Sequence, residues 1–454
     1  MTTNPKVFKT YDIRGVYKEE FDEELAYRLG LAFVKMRSDE LGRGDLKLVV
    51  ARDMRLSSPT LHAEVVRGIT DAGATVIDIG LASTPTFYFA VANYEYDGGI
   101  QISASHNPKE YNGFKLVRER ALPIGAGTGM EEIQTLVMTA ELSVAKIKGT
   151  VETEEEVLHD QVAHDLASIS VIDLKPFKIV IDPANAMGAQ YFEELFIHLP
   201  GELIKMNWEL DGTFPAHQAD PLQPENMLAL CEKVKEEGAD LGIATDGDGD
   251  RIFFVDNLGV AVEPGIVRAV LAKIFLEERP GSKIAYDIRP GRITPETIIK
   301  HGGTPIVTHV GHSLIKAQAV QEGAFFAGES SGHFFLNMEE GCYEVPMIVA
   351  LKVMLELSKA DRSFAEYLAP YKKYFNSGEI NSKVENVLAK LSEIKETYKN
   401  GKINELDGVT VEFPDFWFNV RASNTEAWLR LNLEAVSEEV MLAKRDEVLK
   451  LINS

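Results

Sequence analysis

The sequence predicts an α/β protein made of three related mixed α/β domains, followed by a smaller C-terminal α+β domain. Three observations carry that expectation. First, apolar, largely β-branched runs closing on Asp-x-x recur at "LKLVVARDMR", "FKIVIDPANAMG" and "SKIAYDIRPGR", each followed by a helix-compatible stretch. This is the usual exit from a buried strand into a helix. Second, glycine-led turns open further strands that end in polar residues, and strands alternating with helical patterns imply layered, mainly parallel sheets. Third, the pattern changes after about residue 370, where "KLSEIKETYKNGKINELDGVTVEFPDFWFNVRASNTEAWLRLNLEA" mixes a helix with alternating strands. There "KNG" and "LDG" mark the turns of an antiparallel sheet. The expected domains are residues 1–150, 151–258, 259–370 and 371–454.

In chain order, "DAGATVIDIGLASTP" supplies a glycine-led strand of the first domain, and "DGGIQISASHNP" a strand with a polar end. The charged "VETEEEVLHD" reads as a solvated helix leading into the second domain. "LPGELIKMNWELDG" is a degenerate copy of the glycine-led strand, and "GADLGIATDGDGDR" is the copy with the polar end. The third domain repeats both as "HGGTPIVTHVGHSLI" and "EGAFFAGESSGH". The same position in each repeat thus carries a different polar loop. Ligands of α/β sheets bind beyond the carboxyl ends of strands, so these loops are the candidate site.

Bulk properties narrow the class. At 454 residues the chain exceeds what one core supports. A formal net charge of −23 argues against a nucleic-acid partner and against a polybasic membrane contact. An anionic substrate would require locally gathered arginine and lysine. Two distant cysteines, Cys231 and Cys342, fit a reducing compartment. The opening "MTTNPKVFKTYDIRG" lacks an apolar signal region, so a cytoplasmic location is expected.

The loops define the chemistry. In "TDGDGDR", Asp246, Asp248 and Asp250 alternate with Gly247 and Gly249, so a curled backbone aims three carboxylates at one point. Hard oxygen ligands in such a cluster select Mg²⁺ or a similar cation. An EF-hand starting at Asp246 is excluded, because its sixth and twelfth positions would be Arg251 and Asn257. An aspartyl-nucleophile phosphatase stays open on this motif alone, and Arg251 suits phosphate under either reading.

In "SASHNP", Ser105 alone reads as a turn residue and His106 as a hydrogen-bonding loop residue. With a cation site elsewhere in the chain, Ser105 becomes a candidate phosphate carrier, because phosphorylation adds about −1.5 to −2 charge at neutral pH. "GESSGH" offers Glu329 and Ser331 for vicinal sugar hydroxyls, although a polar turn is the plainer reading. "RASNTEA" offers Arg421, Ser423, Asn424 and Thr425, which suit both a helix cap and an anion site. Arg14, Lys115 and Arg289 lie near turns, and His312 lies at a strand end.

Together "SASHNP", "DGDGDR", "GESSGH" and "RASNTE", in this order across nearly the whole chain, resemble the α-D-phosphohexomutase superfamily and most closely its phosphomannomutase/phosphoglucomutase branch. The resemblance implies three α/β domains and a TATA-binding-protein-like α+β domain around a central cleft. It implies Ser105 as phosphoserine, with His106 and Asn107 in support, and Mg²⁺ on Asp246, Asp248 and Asp250. It also implies sugar contacts from Glu329 and Ser331, and a phosphate grip from Arg421, Ser423, Asn424 and Thr425. Arg14, Lys115, Arg251, Arg289, His312 and His333 fall at substrate-binding or acid–base positions.

The implied reaction interconverts hexose 1-phosphate and hexose 6-phosphate of mannose or glucose through a hexose 1,6-bisphosphate. The implied partners are sugar phosphates, with a monomer or small homo-oligomer expected. Phosphoglucosamine mutase is the near alternative. A Mg²⁺-dependent sugar phosphatase and a non-catalytic sugar-phosphate sensor are the alternatives from other classes. Two departures from the branch stand out: Ala422 and Ala427 where proline is common, and Ser330 where methionine is frequent.

Overall fold

The computed structural model describes residues 3–139, 141–169, 171–289, 291–422 and 428–454. Contacts divide the chain into two compact units, Met1–Val262 with Ser331–Glu366, and Glu263–Ser330 with Tyr367–Ser454.

The first unit opens with a six-stranded sheet built from β1 (Ile13–Val16), β2 (Lys47–Arg52), β3 (Thr75–Leu81), β4 (Gly98–Ile102), β5 (Tyr111–Arg118) and β6 (Val151–Thr153). Their order is β1-β5-β4-β2-β3-β6. The central β2 runs parallel to β3 and β4, and β5 turns back antiparallel to β4. Val49, Val50, Ile100 and Ile102 are fully buried, as expected of strands covered on both faces.

Helices Glu23–Leu41 and Ser58–Asp71 bring Leu25, Leu29, Phe33, Leu61, Val65 and Ile69 into that core. They approach closely at Gly68, where a Cβ would sit 2.2 Å from the Tyr27 carbonyl oxygen. Only glycine permits that crossing.

A second sheet of the same unit contains β7 (Phe177–Asp182), β8 (Gly201–Lys205), β9 (Leu241–Thr245), β10 (Ile252–Asp256) and β11 (Ala261–Val262), in the order β11-β10-β9-β7-β8. Again a central strand, β7, runs parallel to two neighbours, and the strand after the polar loop, β10, returns antiparallel. In the second unit β12 (Lys283–Asp287) is flanked by β13 (Thr304–Thr308) and β14 (Phe326–Gly328), all parallel. The three strand triplets read from the sequence therefore share one topology. The hairpin of β15 (Phe334–Asn337) and β16 (Cys342–Glu344) belongs to the first unit.

The C-terminal part is an antiparallel sheet of β17 (Phe375–Lys383), β18 (Lys402–Asn404), β19 (Val409–Glu412), β20 (Phe416–Ala422) and β21 (Trp428–Ala435), ordered β17-β21-β20-β19-β18. One face, carrying Val411, Phe418, Val420, Leu431 and Leu433, packs on helices Val387–Thr397 and Glu438–Ile452 through Ile394 and Val448. This matches the expected α+β unit.

Three local expectations are revised. "VETEEEVLHD" is not one helix: β6 pairs in parallel with β3, and the helix begins at Val157. The β-branched Val151 and Thr153 extend the sheet edge. Arg14 and Lys115 lie within β1 and β5 rather than at turns. His312 is the first residue of helix His312–Glu322, beyond the strand that ends at Thr308. Among the described residues, no helix is long and apolar enough to cross a membrane.

Candidate active site

Strand β4 delivers Ser105 at its carboxyl end, and β9 delivers Asp246, Asp248 and Asp250 at the equivalent place in the next sheet. The two loops meet. Ser105 Oγ donates to Asp246 Oδ2 at 2.6 Å, although the residues lie 141 apart in sequence. That distance is typical of a hydroxyl on a carboxylate. Gly247 is required by this approach, because a Cβ there would lie 2.3 Å from the Ser105 carbonyl oxygen. Gly249 has φ of +73°, a conformation that glycine adopts without strain.

The serine loop is held in an uncommon shape. Ser105 has φ of +49°, and its N–H donates to Ser103 Oγ at 2.9 Å. A fully buried arginine that sequence reasoning passed over, Arg55, supports it from behind. Its Nη2 donates to the carbonyls of Ser105 and Asn107, each at 2.7 Å. Its Nη1 donates to those of Pro108 at 2.7 Å and Tyr111 at 3.0 Å. Nε bonds Asp53 at 3.1 Å, and the guanidinium lies over the Phe214 ring. All five donors of the fork are engaged, which offsets the desolvation of a buried charge. The only available signal was the Asp53-x-Arg55 pair directly after a buried strand, which reads equally well as an ordinary strand exit.

The acidic cluster is almost wholly out of water, with Asp246 and Asp248 at 0% exposure and Asp250 at 1%. Burial, then the charges of Asp250 and Asp248, pushes the Asp246 carboxyl up to about 8. Burial would raise Asp250 as well, but Lys115 and His333 overcome it and hold that carboxyl well below the usual range. Lys115 Nζ lies 2.6 Å from Asp248 Oδ2 and 2.5 Å from Asp250 Oδ2. Burial opposes its charge, yet those two carboxylates keep the ammonium protonated well above its ordinary pKa.

Asp246 has both oxygens bonded to protein, by the Ser105 hydroxyl and the Arg251 N–H, whereas Asp248 and Asp250 each give one oxygen to Lys115. One carboxylate oxygen from each of the three lies within 4.8 Å of the others. Asp248 Oδ1 is buried with no hydrogen-bond partner. A buried acceptor left open among three converging hard-oxygen ligands fits a divalent cation.

The other expected residues of this unit gather around the same point. Arg14 Nη1 donates to Asn107 Oδ1 at 2.6 Å, and its Nη2 pairs with Asp12. His106 Nδ1 lies 3.2 Å from Ser105 Oγ. Burial first, then the Arg251 and Arg14 charges, holds its imidazole well below the ordinary pKa, so it is neutral. The Arg251 N–H donates to Asp246 Oδ1 at 3.1 Å, and its Nε lies 3.4 Å from His333 Nε2. His333 Nε2 faces Asp250 Oδ1 at 3.2 Å, and Nδ1 is paired with Ser331 Oγ at 2.9 Å.

The remaining expected residues belong to the second unit. Arg289 Nε donates to Asp287, while its Nη2 lies 3.6 Å from Glu329 Oε1. Glu329 Oε1 accepts the Gly311 N–H at 2.7 Å, directly before His312. Asp287, which the sequence reading left unassigned, also takes Arg268 and the Ser330 N–H and hydroxyl. The serine at the position where methionine is frequent thus has a partner here. Arg421 pairs with Glu379, which Arg430 Nη1 also approaches at 3.3 Å. Ser423, Asn424 and Thr425 lie outside the described residues.

The chain is similar to known proteins along nearly its whole length. Residues 5–143, 158–259 and 264–374 match the phosphoglucomutase/phosphomannomutase alpha/beta/alpha domains I, II and III, and residues 379–451 match the C-terminal domain. A phosphomannomutase of Vibrio cholerae serotype O1 is 38% identical over 455 residues, covering 98% of each chain. One from Methanocaldococcus jannaschii is 36% identical over 456 residues, covering 98% of this chain and 97% of the other. The crystal structure of a phosphoglucomutase/phosphomannomutase family protein from Burkholderia thailandensis is 30% identical with a TM-score of 0.90, over 99% of this chain and 97% of that one.

Proposed function

Since the chain belongs to the phosphoglucomutase/phosphomannomutase family along its whole length, we propose that it is a phosphohexomutase exchanging the 1- and 6-phosphates of mannose or glucose, with Ser105 as the phosphoryl carrier. The observation that carries this reading is the 2.6 Å contact between Ser105 Oγ and Asp246. It sets a hydroxyl directly against a buried acidic cluster suited to Mg²⁺.

In the first half-reaction the Oγ–P bond of phosphorylated Ser105 breaks as a sugar hydroxyl oxygen bonds to phosphorus, and the hydroxyl proton passes to a base. The product is a hexose 1,6-bisphosphate. After this turns end for end, Ser105 Oγ attacks the other phosphate and loses its proton, while the departing sugar oxygen gains one. The neutral imidazole of His106, 3.2 Å away, supports it as the proton partner of Ser105.

Asp246, Asp248 and Asp250 would hold Mg²⁺, and the ion, when bound, neutralises charge on the transferring group. Lys115, Arg14 and Arg251 add fixed positive charge at the same point, which stabilises a phosphoryl group without reorganisation. Ser105 is 2% exposed. Such burial limits attack by water and so favours transfer over hydrolysis. In the second unit the guanidinium groups of Arg289 and Arg421 suit the phosphate that is not reacting. The names of the relatives support mannose 1-phosphate as a substrate.

The test is a coupled assay with mannose 1-phosphate, glucose 1-phosphate and glucosamine 1-phosphate. Ser105→Ala is expected to abolish interconversion while sugar phosphate still binds. Full activity in that variant would overturn the carrier role, and stoichiometric release of inorganic phosphate by the intact protein would establish a phosphatase instead.

A further inference from the structure

Helix Thr84–Asn93 begins beside the acidic loop, and its first residue is bonded to the middle aspartate twice. The Thr84 N–H donates to the Asp248 carbonyl oxygen at 2.9 Å, and Thr84 Oγ1 donates to Asp248 Oδ2 at 2.5 Å. Both residues have no exposed surface. The helix start is itself locked. Ser83 caps it by accepting the Thr86 N–H at 3.2 Å, Pro85 stiffens the first turn, and Thr86 Oγ1 donates to Gln161 at 2.7 Å. Thr84 is therefore a rigid donor rather than a mobile one.

The consequence lies in how Asp248 is divided. Its Oδ2 already takes the Thr84 hydroxyl and the Lys115 ammonium, whereas its buried Oδ1 has no hydrogen-bond partner. With Oδ2 occupied from two sides, the carboxylate cannot rotate to present both oxygens. It can offer an ion one oxygen only. That distinction separates cations: Mg²⁺ demands near-ideal octahedral geometry with single-oxygen ligands, while Ca²⁺ accepts bidentate carboxylates in a larger, looser shell.

We propose that Thr84 is a positioning residue that makes the acidic site selective for a small divalent cation, by holding Asp248 in a one-oxygen presentation. The inference rests on the cation reading of the site given above. It concerns a residue outside the acidic motif, on a helix of the neighbouring domain. Removing the hydroxyl while keeping the shape, as in Thr84→Val, leaves Oδ2 held by Lys115 from one side only, so the carboxylate gains room to turn toward the ion.

Mg²⁺ and Ca²⁺ titrations by calorimetry on the full chain test this, using the unmodified protein, Thr84→Val, Thr84→Ser and Asp248→Asn. In Thr84→Val, Mg²⁺ affinity is expected to fall about tenfold, at the lower end of what loss of a ligand's hydrogen-bond partner costs, while Ca²⁺ affinity stays within about threefold. Thr84→Ser keeps the hydroxyl and should behave as the unmodified protein. If Thr84→Val does not fold, Thr84→Ala removes the same donor and is read the same way.

Mg²⁺ binding in Thr84→Val that matches the unmodified protein would overturn the proposal. So would an equal loss of both ions, which marks general damage rather than selectivity. If Asp248→Asn leaves Mg²⁺ binding intact, the cation assignment itself fails, and that outcome is distinct from a failure of Thr84 alone.

Discussion

The loops 103–110 and 246–251 follow equivalent strands of two copies of one topology, yet they are held in opposite ways. The first presents its carbonyls to a single buried guanidinium: Arg55 alone takes three of them, and a fourth from Tyr111 at the start of β5. The second has no such hub. Its Gly247 carbonyl accepts the Met187 N–H, Asp248 accepts that of Thr84, and the Gly249 carbonyl accepts the Tyr191 hydroxyl. One loop is thus organised by a concentrated charge, the other by scattered neutral donors and by the absence of side chains at Gly247 and Gly249. The roles explain the difference. Under the proposed function, a loop that carries a variable anion on Ser105 would gain from a fixed cation behind it, whereas a loop of three carboxylates would leave side-chain oxygens for an ion.

If that contrast holds, the two loops should fail differently. The largest effect is expected from Arg55→Ala, which strips four carbonyls and leaves Asp53 charged and unpaired in the interior. Breaking a buried pair costs roughly 3–5 kcal/mol, so urea unfolding should show a loss of that size, with Arg55→Lys recovering only part of it. A loss under about 1 kcal/mol, the scale of one ordinary hydrogen bond, would mean that the loop does not depend on one hub.

Next comes Gly247→Ala. The added methyl meets the Ser105 carbonyl at 2.3 Å, and backbone cannot yield as a flexible side chain would. The loops must separate and the Ser105–Asp246 contact must open. A displacement of that order costs about a hundredfold in kcat/KM, or about 2.7 kcal/mol of transition-state binding. A coupled assay measures it, and the thermal midpoint should move much less than in Arg55→Ala. Tyr191→Phe ranks third. It deletes one of several scattered donors, so about 1 kcal/mol of stability and little activity should be lost.

The same contrast explains what could be read from the sequence. The second loop was legible because carboxylates and glycines are adjacent in the chain and follow an apolar strand, so "TDGDGDR" carries its chemistry within seven residues. The three strand triplets and the antiparallel C-terminal sheet were legible for a similar reason, since periodicity and turns are local. Arg55 was not, because its partners are backbone carbonyls some fifty residues away, and carbonyls leave no trace in composition. Lys115 was placed near a turn although it sits inside β5, fully desolvated. A lysine there is tolerable only because Asp248 and Asp250 face it, and they arrive more than 130 residues later. Thr84 fell at the end of "DAGATVIDIGLASTP", which reads as a glycine-led strand, whereas it opens the helix that follows β3. Its second bond, to Asp248, depends on how the neighbouring domain packs.

The smallest expected effect concerns the segment that props the serine loop from the second domain. Gln218 Nε2 donates to the His106 carbonyl at 2.9 Å, and the adjacent His217 Nε2 pairs with Asp182 Oδ2 at 3.0 Å. The hydrogen bond to Asp182 outweighs partial burial and raises the His217 pKa above its ordinary 6.5. A histidine whose folded pKa is raised binds its proton more tightly in the native state. Its contribution is therefore complete below about pH 6.5 and fades as pH rises through the higher folded value. The pair is partly exposed, so the gain is under about 1 kcal/mol. Unfolding free energies of the unmodified protein and His217→Gln should differ most near pH 5.5 and converge toward pH 9. A difference that grows with pH would show instead that the folded protein favours the neutral imidazole, donating to Asp182 from Nε2 without a positive charge.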